Sequence, residues 1–118
     1  MKLSDAMRLG SKLNPQGITY LKMMDKTCAL GAALDGIEAE FNNDSGYLIA
    51  EKQWPELLND LCCPVCNVLD PNRSKLRDVI YHLNDKHMWT REQIADWIDS
   101  LTVKEIVVEK EEKVTVNV

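Results

Sequence analysis

Apolar residues recur at helical spacing in several separate stretches of this chain, with short extended runs between them. Ser4 can cap a helix over 5–13, where Ala6, Leu9 and Leu13 fall on one side and Gly10 weakens the segment. Asn14-Pro15-Gln16-Gly17 reads as a turn. The partly β-branched run 18–24 predicts a strand that ends at an Asp25-Lys26 turn. A second helix is expected over 28–39, capped by Thr27, with Leu30, Ala33, Leu34 and Ile37 as its stripe. The small residues Ala29, Gly31, Ala32 and Ala33 would let another backbone approach closely. Gly36 costs this helix about 1 kcal/mol of propensity, which close packing would explain.

Asn42-Asn43-Asp44-Ser45-Gly46 is a loop, and 47–50 reads as a brief extended segment. Trp54-Pro55-Glu56-Leu57-Leu58 looks like a helix start, with proline in the first turn. Residues 71–87 predict a helix capped by Asp70 or Ser74, with Leu76, Val79, Ile80 and Leu83 facing one way and a break near His87-Met88-Trp89. Thr90 and Gln93 then form a capping box for a last helix whose core face is Ile94, Trp97, Ile98 and Leu101. After Thr102 the pattern changes to valine-rich, charged runs, read as a β-like extension: a hairpin, an edge strand, or a partner-binding tail that could also mediate self-association.

The expected fold class is therefore α+β, predominantly helical, with short extended segments. Residues 1–102 form one small zinc-stabilised domain, and 103–118 form the extension. The chain has 118 residues, enough for an ordinary core, so a metal would reinforce the fold rather than replace the core. No apolar run is long enough to cross a bilayer, and charges interrupt the N-terminal segment, unlike a secretory signal. A cytoplasmic location is expected, with no membrane partner. Net charge is −5. Within 61–100, Arg73, Lys75, Arg77, Lys86 and Arg91 stand against six carboxylates, so no broad basic stripe is visible. A protein partner is favoured over nucleic acid.

The cysteines are Cys28, Cys62, Cys63 and Cys66, three of them within five residues. In a reducing compartment that clustering reads as a metal knuckle rather than as disulfides. Cys63-Pro64-Val65-Cys66 puts two thiolates on one tight turn, and fifteen residues later come His82 and His87, the chain's two histidines. Two sulfurs and two nitrogens suit tetrahedral zinc. The spacing carries a geometric condition. Residues five apart on an ideal helix differ by about 140° around the axis and about 7.5 Å along it. The helix must tighten, widen or end before His87 if both rings are to reach one ion. Asn84-Asp85 supplies a reason for the break, and Asp85 could instead orient a ligand histidine.

Other readings compete at this site. CPVC can be a buried turn with the histidines as polar groups. Cys62 can replace Cys63 as a ligand, and Cys28 is most simply a small buried residue. Four protein ligands would leave no open position for water, and neither HExxH nor a deaminase pattern is present. A Cys–His nucleophile and a redox CxxC are weaker readings.

The segments RLGSKLNPQG, CALGAALDGIEA, WPELL, CPVC and IYHLNDKHMWTREQIADWI resemble a family of small bacterial and phage or prophage proteins of unassigned activity, over about residues 4–100. The resemblance implies a cytoplasmic or phage-related context, and Cys63, Cys66, His82 and His87 acting together. The Cys/His spacing also resembles Cys2His2 zinc fingers, without their usual aromatic and leucine arrangement. The leading expectation is a zinc-stabilised interaction or adaptor protein. The alternatives are a nucleic-acid-binding regulator, for which Thr90–Trp97 would be the first helix of a helix-turn-helix, and a metal-dependent enzyme.

Overall fold

The computed structural model describes residues 1–66 and 74–101. Small residues determine how its first two helices meet. Helix α1 (Leu3–Ser11) and helix α2 (Ala29–Gly36) cross backbone to backbone. A Cβ on Gly10 would lie 1.6 Å from the Ala32 carbonyl oxygen, and one on Gly36 would lie 2.0 Å from that of Ala6. The crossing is thus reciprocal, each helix lending a glycine to the other's carbonyl. This is the close packing expected at Gly36, and it also accounts for Gly10.

The buried side of α1 is Leu3, Ser4, Ala6, Met7 and Gly10. Leu9 and Leu13, expected in the core, are exposed. The tight approach to α2 needs the small positions 6 and 10, and this turns Leu9 away. Nor does Ser4 cap α1, because the helix begins two residues earlier than expected, after Lys2. Its hydroxyl, inside the helix and buried, donates instead to Asp99.

The expected 18–24 strand shrinks to β1 (Lys22–Met23), paired antiparallel with β2 (Lys26–Thr27). Thr19 and Met24 take left-handed backbone angles, φ 74° and 57°, so no continuous strand can run through 18–24. The Pro15-Gly17 turn lies alongside β2, through Thr27 N–H to Pro15 O and Gly17 N–H to Thr27 O, both 2.9 Å.

Helix α2 is buried nearly all round. Its cap is Cys28 rather than Thr27: the sulfur accepts the Gly31 N–H at 3.5 Å. Thr27 is buried and its hydroxyl accepts from Arg91. The helix stops at Gly36, short of residue 39, in a Schellman turn with Glu38 in the left-handed region (φ 58°). Ala39 N–H reaches Leu34 O, and Glu38 N–H reaches Asp35 O.

The segment 47–50, expected to be extended, is helical within α3 (Gly46–Gln53). The preceding loop prepares it, since Asn42 Oδ1 accepts the N–H groups of Asp44 and Ser45 and Gly46 N–H bonds Asn42 O. A 3₁₀ turn, Pro55–Leu58, follows, with proline in its first turn.

Helix α4 (Leu76–Asp85) is shorter than the expected 71–87. Its first free amide, that of Lys75, donates to Asp78, while Ser74 is taken up through its carbonyl by Leu61 N–H. The proposed cap Asp70 lies outside the described residues. Helix α5 spans 91–101. Its capping box is present: Gln93 N–H donates to the Thr90 hydroxyl, and Thr90 N–H to the Gln93 side chain. Ile94, Ala95 and Ile98 are buried, whereas Trp97 and Leu101 are half-buried against the core.

One apolar cluster runs from Leu3 to Ile98 and includes Cys63. The fold is helical with a small two-stranded sheet. Among the described residues, no helix is long and apolar enough to cross a membrane. The extension read over 103–118 lies outside the described residues.

Candidate metal centre

The chain first has to bring residues 60–66 back to α4. It does so by a short antiparallel neck: Leu76 N–H donates to Asn59 O at 2.8 Å, Leu61 N–H donates to Ser74 O at 3.1 Å, and Asp60 bridges Lys75. The CPVC turn follows at once. Cys63 faces inward, fully buried, and Val65 N–H donates to its sulfur at 3.4 Å. Cys66 is exposed.

Opposite the turn, α4 comes apart in the manner the histidine spacing requires. The helix ends at Asp85, and the next bonds close wider rings. His87 N–H reaches back five residues to His82 O at 3.3 Å, and Trp89 N–H six residues to Leu83 O at 3.0 Å. Met88 supplies the reversal, with φ 55°. The two imidazoles then stand edge to face, 4.7 Å between centroids and 81° between planes.

The donor atoms of Cys63, Cys66, His82 and His87 all lie within 4.8 Å of one another, and Cys66 Sγ is 3.3 Å from His82 Nε2. Zn–S and Zn–N bonds of ordinary length imply tetrahedron edges of about 3.3–3.8 Å. The 4.8 Å bound is wider than those edges, but the four donors lie close enough together that they could hold a small tetrahedral ion. Two further observations fit a metal. His87 Nε2 is buried with no hydrogen-bond partner among the described residues, a costly arrangement unless something else takes its lone pair. Burial, then the proximity of His87 and of Lys86, pushes the His82 imidazole below its ordinary pKa, towards the neutral form that a metal needs.

The remaining cysteines separate cleanly from the site. Cys28 is buried at the start of α2, where burial pushes its thiol pKa up. Cys62 is half-exposed and outside the four-residue group. Asp85 does not orient either histidine in the contacts seen: its carboxylate accepts from Thr19 N–H and the Asn84 amide.

Sequence reasoning tied Asn84 to the break in α4 but missed how it holds the broken end to the rest of the fold. Asn84 is fully buried. Its Oδ1 accepts from Ala29 N–H (3.1 Å) and Gln16 Nε2 (2.9 Å), and its Nδ2 donates to Gly17 O (2.9 Å). Gln16 also donates to Trp89 O at 2.8 Å. The start of α2, the 14–17 turn and the segment after His87 thus share one polar node. Asn84 lies one turn beyond Ile80 on the apolar face of α4, and a polar residue at such a position was the available signal.

Arg91, counted in the sequence among the charges of 61–100, points into the protein. It is buried and donates to Thr27 and to Ser11 O at the end of α1. Arg77 is paired with Glu51, and Lys75 approaches Asp60. Arg73 lies outside the described residues. Scans of the chain against protein-family models, curated proteins and solved structures return no match.

Proposed function

We propose that this protein is a zinc-stabilised protein-interaction module, in which the ion fastens the CPVC turn to the end of α4. The observation that carries the reading is the four-donor Cys2His2 cluster. Two thiolates and two imidazoles favour zinc over hard cations. Four protein ligands complete the tetrahedron and leave no position for a reacting water. That argues for a structural ion and against a metal-dependent enzyme. Internal pairing of Arg77 and Lys75, and the burial of Arg91, argue against a nucleic-acid regulator that would use them on phosphates.

A partner is supported by an apolar face beside the site. Ile18, Tyr20, Met23, Met24 and Met88 surround a depression of about 420 Å³. Met24 is 91% exposed and Met88 67%. Met24 sits in the turn between β1 and β2 and Met88 in the reversal after α4, both with left-handed backbone. Flexible, polarisable methionines suit adaptable protein contacts. The cytoplasmic, phage-related setting implied by the sequence resemblance is part of the same proposal.

Purified protein should carry one zinc per chain through dialysis and lose thermal stability with a strong chelator. Cys63→Ser, Cys66→Ser, His82→Ala and His87→Ala should each lower the bound zinc, and Cys62→Ser should not. Metal-free native protein that melts at the same temperature with and without chelator would refute the zinc reading. For the interaction, a partner retained by the parent should be lost on Met23→Glu with Met24→Glu, at unchanged helicity. Equal retention by both proteins would remove this face from the proposal.

A further inference from the structure

The two sulfurs of the cluster differ in chemistry because they differ in surroundings. Cys63 is fully buried, and the peptide N–H of Val65 points at its sulfur. Burial shields that sulfur from reagents in solution. Cys66 is exposed. Its sulfur lies 3.3 Å from His82 Nε2. A small oxidant arriving from solvent therefore meets the sulfur of Cys66 first. The Cys63 sulfur lies on the same turn, within the 4.8 Å that encloses all four donor atoms.

We propose that the Cys63–Cys66 pair is a peroxide-sensitive oxidation site, with Cys66 the attacked sulfur and Cys63 the resolving one, and that closing the disulfide expels the ion. The inference rests on the zinc reading above. The Cys66 thiolate attacks one peroxide oxygen, the O–O bond breaks, hydroxide leaves, and Cys66 becomes a sulfenic acid. The Cys63 thiolate then attacks that sulfur, the S–O bond breaks, and a second hydroxide leaves. Two electrons pass from the sulfur pair to the peroxide, and the two hydroxides take protons from buffer acid in solution to become water. Both sulfur ligands are consumed together. Two histidines alone hold zinc weakly, so the ion departs and CPVC is unfastened from α4. A dithiol reductant and fresh zinc reverse the change. Cys28, buried at the start of α2, is excluded from this chemistry.

The experiment uses the full chain, with its zinc content measured first. Hydrogen peroxide is titrated in while a chromogenic chelator reports released zinc. Thiols are trapped by alkylation and assigned by peptide mapping. The expected result is release of one ion for each Cys63–Cys66 disulfide formed, with Cys28 still reduced, and reversal by dithiothreitol plus zinc. Cys28→Ser with Cys62→Ser, which keeps all four ligands, should follow the same course. Three results would overturn the proposal: zinc retained while thiols oxidise, Cys66 driven to sulfinic acid without a disulfide, or release abolished by Cys62→Ser. A chain that holds zinc but resists peroxide overturns this inference alone. A chain that holds no metal before peroxide is added overturns the zinc reading as well.

Discussion

Replacing Gly10 by alanine should destabilise this protein, although the same change stabilises an isolated helix. Propensity alone favours alanine by about 1 kcal/mol in the interior of α1. The new methyl, however, would sit 1.6 Å from the Ala32 carbonyl oxygen, where ordinary contact begins near 3.4 Å. That oxygen is backbone inside α2, so no side-chain rotation relieves the clash. The helices must separate by well over 1 Å along their crossing. A radial gap of 0.5–1 Å already forfeits about a quarter to a half of the dispersion energy of the facing atoms. Overpacking of this kind costs about 1–3 kcal/mol, and the backbone origin of the clash places Gly10→Ala at the upper end even after the propensity gain. Gly46→Ala is the comparison, because the three atoms nearest its methyl would be side-chain ends of Leu21, Phe41 and Leu34 rather than backbone, so it should cost less than Gly10→Ala. Urea denaturation of the zinc-loaded proteins, with midpoint and m-value fitted together, is the assay. A Gly10→Ala midpoint equal to or above the parent's, at unchanged m, would refute the backbone-to-backbone crossing.

Asn84→Ala should cost about 3–4 kcal/mol in the same assay, since it removes a shared polar node and leaves the buried Ala29 N–H without its acceptor; a loss below about 1 kcal/mol would contradict that role. Trp97→Ala should cost about 2 kcal/mol, less than for a fully buried ring, because the indole is half-buried. Burial pushes the Asp99 carboxyl pKa up, but hydrogen bonds from Ser4, Arg8 and Lys2 outweigh it and hold the group below the ordinary 3.8. A folded-state pKa below the unfolded one stabilises the protein above that ordinary value, and the contribution is lost as pH falls through the lower, folded value. Stability of the parent relative to Asp99→Asn should therefore shrink as the solution is taken below about pH 4, and a difference that stays constant with pH would exclude the mechanism.

The parts legible in the sequence are those in which a local pattern carries its own chemistry. The Thr90/Gln93 capping box needs only its own turn, and it forms as read. The four clustered donors were likewise visible, because Cys-x2-Cys and the histidine spacing are local, and the spacing itself demanded the helix break seen before His87. The misreadings share a different cause. Leu9 looked like a core residue on one helix considered alone, yet the side of α1 that is buried is chosen by Gly10 meeting a carbonyl of α2. The 47–50 run contains Tyr47 and Ile49, whose strand preference is overridden by an Asn42-led turn that starts a helix. Arg91 looked like a surface cation because its acceptors, Thr27 and Ser11 O, are more than sixty residues away in sequence.

The end of α4 is held on two sides by different means, and this fixes what metal removal should do. On the inner side, Asn84 and Gln16 tie it to α2 and to Trp89 through hydrogen bonds that need no ion. On the outer side, the CPVC turn is joined to it by the short 59–61 neck and by the four-donor cluster. The apolar cluster, centred on the α1–α2 crossing, lies mostly on the inner side and reaches the site through Cys63. If the cluster holds zinc as proposed, chelation should open the protein locally before it opens globally. Amide exchange should accelerate at residues 61–66 and at His87, while the Ala32 and Ala33 amides of α2 keep their protection. Asn84→Ala should reverse the order, loosening α2 and the 14–17 turn in protein that still holds zinc. Uniform acceleration of α1 and α2 on chelation would mean that the ion supports the whole core, and the two-sided account of α4 would be wrong.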